Sequence, residues 1–193
     1  MDALEIRPLS ADTWPDLAAL FEAGGDARWC WCQYWRRRGI GWGRDDAIEN
    51  RAALQAQVDD GPAPGLVAYR DGRAVGWVAV GPREAYPRLA RSRTIPQLPG
   101  DDVWVVTCFV VLRAARGTGV ANALLNAASE YALGHGARVV EGYPVRNDGA
   151  HLPPGAAYSG TVGMFEGAGF VQSAPTTSRA RPDRPRVVMR RTP

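Results

Sequence analysis

Hydrophobic spacing alternates between a strand-like and a helix-like period along the first half of the 193-residue chain. Alternation of apolar and polar residues predicts a strand, and helical spacing of apolar residues predicts an amphipathic helix. The run "ALEIRPLS" is predicted to be a strand, and the runs "WPDLAALFEAG" and "DDAIENRAALQAQVDDG" are predicted to be helices. The runs "GLVAYR" and "AVGWVAVG" are predicted to form a hairpin. Gly24-Gly25 ends the first helix, and the turn "DGR" between the last two runs indicates the hairpin.

The second half begins with a loop and then alternates buried strands with helices. Residues 82–100 are rich in Pro and Arg and show no period, which predicts the loop. "DVWVVTCFVVL" is almost continuously apolar and rich in β-branched residues, as expected of a central strand that is buried on both faces. The elements that follow are a long helix, a buried strand and a weaker helix ended by Gly169: "GTGVANALLNAASEYALGHG", "ARVVEGYPV" and "PPGAAYSGTVGMFEGAGF". Phe170 begins the next strand, and "PRVVMRR" is the last strand. We therefore expect one mixed α/β domain over residues 1–193, with a parallel strand–helix–strand crossover.

Composition and charge exclude several classes of protein. No apolar run is long enough for a transmembrane helix, and the acidic N-terminus lacks the features of a signal peptide, so we expect a cytoplasmic protein. Three Cys residues fit reduced thiols better than a disulfide framework. Every basic residue is Arg and the net charge is only +3, which argues against a large basic surface. The C-terminal Arg cluster, from Arg179 to Arg191, is expected to be a solvated strand edge.

A small-residue loop precedes the long helix of the second half, in the sequence "RAARGTGVA". Glycines let the backbone approach a ligand, and the first N–H groups of a helix have no internal partners, so the pattern favours a diphosphate site with a nearby Arg. A dinucleotide fingerprint fails because Asn122 occupies its third Gly position, and a Walker loop fails because the chain has no Lys.

The same segment resembles the acyl-CoA-binding motif of the GNAT superfamily of N-acyltransferases, R/Q-x-x-G-x-G/A. Arg116, Gly119 and Ala121 occupy its defining positions, and "FEGAGF" resembles the end of a second family motif, Y-x-x-x-G-F, with Gly169 and Phe170 in place. The resemblance implies a GNAT-like mixed central sheet, splayed at the cofactor site and flanked by helices. It also implies transfer of an acetyl or other acyl group from acetyl-CoA to an amine, by direct attack in a ternary complex.

The cofactor residues follow from this resemblance position by position. The pantetheine of acetyl-CoA is expected along the backbone of Phe109, Val110 and Val111. The diphosphate is expected on the loop and first helical turn, which contain Arg116, Gly117, Thr118, Gly119, Val120 and Ala121.

The acid–base residues are less clearly indicated. Phe165 stands where the family often has a proton-donating Tyr, so we name Tyr158 as the substitute acid, with tunnel lining as its alternative role. Glu141 is the first candidate base, because a buried carboxylate needs a purpose, and a buried salt bridge to an Arg is the alternative. Tyr143 is the second candidate. Other positions considered are Asp101, Asp102 and His151 as bases and Cys108 as a nucleophile, for which inert packing is preferred.

The stretch "RWCWCQYWRRR" begins at Arg28 and raises four possibilities: a metal clip, a nucleic-acid surface, core packing or the wall of an acceptor pocket. Cys30 and Cys32 lack partners with ligand spacing, so a metal is disfavoured. Clustered aromatics before a short Arg run usually bury their rings, so the pattern argues against a nucleic-acid surface as well. We expect some of the aromatics to line the acceptor cleft, with Trp42 and the loop around Tyr86 as partners. The candidates for this role are Trp29, Trp31, Tyr34 and Trp35.

Taken together, these observations predict an N-acetyltransferase that acts on a small-molecule amine, with a homodimer possible. An aromatic cleft suits a flat or partly apolar amine and can hold a cation on its π faces. Two alternatives remain open. Arg36 to Arg38 suggest acylation of a protein N-terminus or a charged tRNA, and Phe165 suggests a non-catalytic CoA-binding sensor.

Overall fold

The computed structural model describes residues 4–37 and 44–193. Its strands are β1 (Glu5–Pro8), β2 (Gly65–Arg70), β3 (Arg73–Pro82), β4 (Val103–Val111), β5 (Val139–Gly142), β6 (Val171–Arg181) and β7 (Arg184–Arg191). Its helices are α1 (Trp14–Glu22), α2 (Ala27–Cys30), α3 (Ala47–Ala56), α4 (Pro87–Ala90), α5 (Val120–Gly134), α6 (Pro154–Ala157) and α7 (Val162–Gly167).

The strands form one seven-stranded sheet in the order β1-β2-β3-β4-β5-β7-β6. β4 and β5 pair in parallel, joined by the crossover helix α5, and every other neighbouring pair is antiparallel. The hairpin of β2 and β3, the central position of β4 and the parallel crossover confirm the mixed α/β fold predicted from the hydrophobic pattern. β4 is central because strands cover both of its edges and its apolar residues are buried on both faces.

The central strands separate at the end where the site lies. β4 and β5 pair only from Val103 with Val139 to Val106 with Gly142, although β4 continues to Val111. Beyond the last pair, the N–H of Phe109 donates instead to the carbonyl of Tyr158, at 2.6 Å. The sheet is therefore splayed after residue 106, as the family resemblance implied.

A β-bulge lies where the two strands part. Ala79 of β3 faces Cys108, whereas Val80 faces Val106, so Thr107 is an extra residue in β4. Such an insertion reverses the alternation of side chains along the strand. Cys108 consequently packs on the side of the sheet that carries α1 and α2, and Phe109 packs on the side that carries α5.

One face of the sheet is covered by α5 and α7. The first turn of α5 comes very close to β3, because a Cβ added to Gly76 would lie 2.7 Å from Val120 and 3.0 Å from Leu124. Phe165 of α7 is fully buried, and its ring packs directly against the α-carbons of Gly142 and Gly160, where a Cβ atom would not fit. These contacts fix both helices on the splayed end of the sheet.

The opposite face carries two smaller clusters side by side. Helices α1 and α2 cover β2 and β3, where Phe21 packs on Trp77 with ring centroids 6.0 Å apart. The segment from β3 to β4 covers the other half of this face with a second cluster around Tyr86 and Leu89.

Three expectations about elements are wrong. The single weak helix expected over residues 153–170 is two short helices, because Gly160 has φ +78° and breaks the chain between them. The expected loop over residues 82–100 contains α4. The C-terminal Arg residues do not all lie on a solvated edge: β6 is the edge strand, and Arg186 of β7 is buried. Within the described part of the chain, no helix has the length and apolar character needed to cross a membrane.

Candidate active site

The loop before α5 has the geometry of an anion-binding helix start. Gly117 and Gly119 have φ +75° and +84°, a region that L-residues rarely adopt, and no atom lies within 4 Å of the Cβ position of either. Gly119 caps a helix of 15 residues without a side-chain hydrogen bond, and the first turn has no acidic residue. The first amides of α5 are therefore free of any side-chain cap, and the helix dipole favours an anion there.

A cavity of about 280 Å³ opens at this helix start, lined by Val111, Ala115, Arg116, Gly117, Gly119, Val120, Ala121 and Asn122. Six of these eight residues lie in the loop and first turn. The exposed Arg116 lies at its edge and donates from Nε to the carbonyl of Val111, at 3.1 Å. Open space at both glycines, uncapped amides and an adjacent guanidinium fit the diphosphate of an acyl-CoA.

Arg70, at the end of β2, is a residue at this site that the sequence analysis missed. Its Nη1 donates to the hydroxyl of Thr118 at 3.1 Å, and that hydroxyl donates in turn to the carbonyl of Ala115 at 2.8 Å. Arg70 therefore brings a second positive charge to the loop. Only the pairing of β2 with β3, and the contact of β3 with α5, bring it there.

The backbone of β4 offers fewer groups to a pantetheine chain than expected. The N–H of Leu112 bonds to Val75, so alternate residues of β4, including Val110, direct both backbone groups to β3. The N–H of Phe109 is bonded to Tyr158 and the carbonyl of Val111 to Arg116. The groups that face the gap are thus the carbonyl of Phe109 and the N–H of Val111, and Val110 does not belong to this set.

Tyr158 lies at the mouth of the gap between the central strands. Its carbonyl accepts from Phe109, and its ring lies 5.2 Å from the guanidinium carbon of Arg186. Burial raises the pKa of Tyr158 to about 12, against the opposing effect of Arg186. The phenol therefore keeps its proton at neutral pH and can donate it.

Glu141 and Tyr143 form a buried cluster with Arg190 rather than facing an open cleft. The hydroxyl of Tyr143 donates to Glu141 Oε1 at 2.5 Å, and Arg190 Nε donates to Oε2 at 2.6 Å. Glu141 is 1% exposed, and Arg190 also bonds to the carbonyls of Leu98 and Pro99. Burial and the Glu141 charge raise the pKa of Tyr143 well above its usual range. The contacts correspond to the salt-bridge alternative for Glu141, and they tie β5 and β7 to the segment before β4.

All three cysteines lie near one another, around Trp77. The indole N–H of Trp77 donates to Cys32 Sγ at 3.2 Å, and Cys108 is hydrogen-bonded to Cys32. That hydrogen bond and burial raise the pKa of Cys108 well above its usual range, and burial raises the pKa of Cys30 to about 11. Both thiols stay protonated at neutral pH, which supports the packing role expected of Cys108. Among the residues described, no group of His, Cys, Asp or Glu is arranged to hold a metal.

The aromatic stretch divides because of two left-handed residues. Trp31 and Cys32 have φ +46° and +54°, which ends α2 and redirects the chain. Trp31 consequently turns inward, is 2% exposed, and stacks on Trp14 with ring centroids 5.8 Å apart. Most of the Trp31 ring therefore packs in the core beneath α1. Trp29 stays half-buried under the guanidinium of Arg28, at 4.3 Å.

Tyr34 and Trp35 turn toward α4. Their rings meet edge to face with centroids 4.7 Å apart, and Trp35 packs against the cluster around Tyr86. Arg88 of α4 donates to the carbonyl of Tyr34 at 3.1 Å and lies 4.2 Å from its ring. Tyr34 is also close enough to Tyr158 to influence its ionisation. The structure therefore brings Tyr34 to the mouth of the gap, and Trp42 lies outside the described residues.

The remaining candidates lie apart from this cleft or are engaged elsewhere. Asp101 and Asp102 are exposed at the opposite end of β4, and His151 is exposed in the loop before α6. Arg36 is held by the hydroxyl of Tyr86 at 2.6 Å, and Arg37 pairs with Glu49 at 3.1 Å.

Solved structures of similar fold include three acetyltransferases. A GCN5-related N-acetyltransferase from Kribbella flavida has a TM-score of 0.59 at 20% identity, over 99% of this chain and 98% of that one. A ribosomal-protein-alanine N-acetyltransferase from Brucella melitensis has a TM-score of 0.53 at 21% identity, over 98% and 99%. The PaiA N-acetyltransferase from Thermoplasma acidophilum, solved in complex with coenzyme A, has a TM-score of 0.50 at 11% identity, over 99% of both chains. At these identities the likeness shows the fold, which is the GNAT-like sheet expected from the sequence.

The family assignment comes from the sequence itself. No curated protein matches this chain. Residues 27–151, however, match the family model of the acetyltransferase (GNAT) family, and this range includes β4, the diphosphate loop and α5. The chain belongs to the acetyltransferase (GNAT) family, which implies acyl transfer from acetyl-CoA.

Proposed function

We propose that this protein is an N-acetyltransferase that moves the acetyl group of acetyl-CoA directly to the amine of a small-molecule acceptor. The observation that carries the proposal is the start of α5, where open glycines, uncapped amides and Arg116 lie beside the gap between β4 and β5. Acetyl-CoA supplies an acyl group that is activated as a thioester.

The binding residues would hold the cofactor at both ends of the gap. The amides of Val120 and Ala121 face the diphosphate, with Arg116 and Arg70 as counter-charges. The N–H of Val111 and the carbonyl of Phe109 remain for the amide groups of the pantetheine. The thioester would then lie near Tyr158, because the carbonyl of that residue bonds to Phe109 in the same gap.

Tyr158 is the proposed proton donor to the departing thiolate. Its raised pKa, about 12, keeps the phenol protonated across neutral pH, so it can act as an acid and not as a base. This role would replace the hydroxyl that Phe165 lacks, since Phe165 is fully buried in the core.

The acceptor amine must lose a proton before it attacks. Glu141 is unsuited to take it because both carboxylate oxygens are bonded and the side chain is sealed from solvent. We therefore propose that the proton passes to water. The carboxylate of Asp26 approaches α6, because its Oδ2 lies 3.5 Å from the Cβ position of Gly155. If water takes the proton, replacing Asp26 should not change the rate, so Asp26→Asn is the control.

A small acceptor is favoured over a charged tRNA by the contacts of the Arg run. Arg36 is half-buried against Tyr86 and backbone carbonyls, and Arg37 is paired with Glu49 and hydrogen-bonded to Asn50. These guanidinium groups are engaged within the protein, so they do not form an exposed basic track for phosphates. Arg38 lies outside the described residues. Acylation of a protein N-terminus remains the second candidate, because the Brucella melitensis neighbour is named a ribosomal-protein-alanine N-acetyltransferase.

The test combines binding with turnover. Calorimetry of acetyl-CoA should record saturable binding, and a thiol reagent should detect free CoA released only when an amine from a mixed panel is present. Product mass should rise by one acetyl group on the amine. The expected rate with Asp26→Asn equals that of the wild type.

Three outcomes would redirect the proposal. Binding without turnover on any amine or peptide would identify a CoA sensor. Turnover on peptide N-termini alone would move the acceptor to proteins, and salt-sensitive binding to RNA would favour the tRNA alternative. Absence of any heat with acetyl-CoA would overturn the cofactor site itself.

A further inference from the structure

Arg186 is a buried cation without a charged partner beside the proposed reaction site. It lies on β7, is 6% exposed, and has no carboxylate within ion-pair distance in the described part of the chain. Its side-chain contacts there are the ring of Tyr158 at 5.2 Å and the hydroxyl of Ser159, 3.4 Å from Nε. Neither contact neutralises the charge, and burying an unpaired ion is costly.

Arg190, four residues later on the same face of β7, is by contrast an Arg whose charge and hydrogen bonds are paired within the protein. It has Glu141 at 2.6 Å and two backbone carbonyls as partners. Arg186 lacks any such set among the described residues. The difference indicates that the partner of Arg186 is not supplied by the described chain.

The outer end of Arg186 has no hydrogen-bond acceptor among the described residues. Among the described residues, Gln57 Oε1 is the only fully buried side-chain polar atom without a hydrogen bond. The Nη nitrogens of Arg186 are therefore not fully buried and unpaired. No described residue accepts from either Nη nitrogen of Arg186. The guanidinium is therefore held at Nε by Ser159 and against the ring of Tyr158, and its Nη edge remains for a group that the described residues do not supply.

The surroundings add positive charge and aromatic walls. Arg88 lies over the ring of Tyr34 at 4.2 Å, and its side chain bonds to a backbone carbonyl rather than to a carboxylate. Tyr34 lies close enough to Tyr158 for an electrostatic interaction that raises the pKa of Tyr158. Two arginine–tyrosine contacts, Arg88 with Tyr34 and Arg186 with Tyr158, therefore lie near the point where the thioester is proposed to end.

We infer that Arg186 binds a carboxylate of the acceptor, so that the substrate is a small, aromatic or partly apolar amine that also carries an acid group. The planar guanidinium edge matches a carboxylate, with two parallel hydrogen bonds. The inference rests on the proposed function for the identity of the reaction, but the recognition of the anion is separate from it.

The experiment uses a pair of acceptors that differ in charge alone, 4-(aminomethyl)benzoate and 4-(aminomethyl)benzamide. Both are offered to the wild-type protein with acetyl-CoA, and their binding to the CoA-loaded protein is measured by calorimetry. We expect kcat/KM to be at least about tenfold higher for the carboxylate, as charge-assisted hydrogen bonds typically give.

Variants then assign the preference to one residue. Arg186→Met should reduce kcat/KM for the carboxylate by about tenfold or more and leave the carboxamide within about twofold. Arg184→Met is the matched control, because it removes the same charge from the same strand at a residue paired with Asp183, and it should keep the preference. Arg186→Lys should retain part of it, since Lys keeps the charge but not the fork.

The readouts separate failure of this inference from failure of the proposed function. If neither compound is acetylated but the carboxylate alone binds, the anion site stands and the reaction is wrong. Equal treatment of the two compounds by the wild type would overturn the anion site, even if Arg186→Met does not fold. An equal loss for both compounds in an Arg186→Met protein that still binds CoA would give Arg186 a merely structural role.

Discussion

The diphosphate loop makes a quantitative prediction through Gly119. This residue has φ +84° and no atom within 4 Å of its Cβ position, so Gly119→Ala meets no steric clash and strains only the backbone. A left-handed non-Gly residue costs about 1–2 kcal/mol, which for a protein of this size lowers Tm by roughly 2–8 °C. The added methyl would occupy space beside the uncapped amides, where the diphosphate is expected.

The effect on binding should exceed the effect on stability. Loss of one hydrogen bond to a charged oxygen costs about 1.5–3 kcal/mol, so the Kd for CoA should rise roughly tenfold to a hundredfold. Calorimetry gives the Kd, and thermal unfolding without CoA gives the change in Tm.

The matched control is Gly136→Ala, at the other end of the same helix. Gly136 has φ +88° and also has no atom within 4 Å of its Cβ position, so the backbone strain is the same. Gly136→Ala should lower Tm as much as Gly119→Ala while leaving the Kd for CoA unchanged. If the two variants bind CoA equally, the start of α5 does not hold the diphosphate, and the reasoning fails.

Three further predictions address the other residues of the site. Tyr158→Phe should lower kcat by about a hundredfold without changing the Kd for CoA, and an unchanged kcat in this variant would remove Tyr158 as the acid. Because the pKa of Tyr158 is raised to about 12, the wild-type rate should show no alkaline fall from this group until pH approaches that value. Glu141→Gln should lower the free energy of unfolding, measured in urea, by about 3 kcal/mol, as expected for a broken buried ion pair. The control Glu130→Gln, in an exposed pair, should lower it by less than about 1 kcal/mol. A large loss of kcat in folded Glu141→Gln protein would restore Glu141 as the base. Arg70→Met should weaken CoA binding by about threefold and reduce its salt dependence, while Arg73→Met at the exposed end of the same hairpin should not; identical affinities in the two variants would exclude Arg70 from the site.

The hydrophobic pattern alone predicted the elements that build the sheet. The hairpin of β2 and β3 and the strand–helix–strand unit of β4, α5 and β5 were predicted because each strand or helix buries a face with its own period. The diphosphate loop was also visible in sequence, since a small-residue loop before a long helix is a local motif. Weak local signals were predicted least well: the helix expected over residues 153–170 is interrupted at Gly160.

Within the site, the outcome depended on how far apart the interacting residues lie in the chain. The spacing of "WCWCQYW" indicated that not all the aromatics share one side, but only the left-handed backbone at Trp31 and Cys32 decided that Trp31 enters the core and Tyr34 reaches the cleft. The bulge at Thr107 decided which backbone groups of β4 face the gap. Neither feature has a periodic signature.

What the sequence by itself determined, then, is the order of strands and helices, the family motif and the loop that precedes α5, because these depend on neighbours along the chain. Only the tertiary structure decided the partners of the charged groups. It pairs Glu141 with Arg190 across 49 positions and brings Arg70 to Thr118 across 48. It also leaves Arg186 beside Tyr158 with no carboxylate partner among residues 4–37 and 44–193. The physical reason is that an ionic contact depends on distance in space, which the twist and register of the sheet set and which no local pattern records.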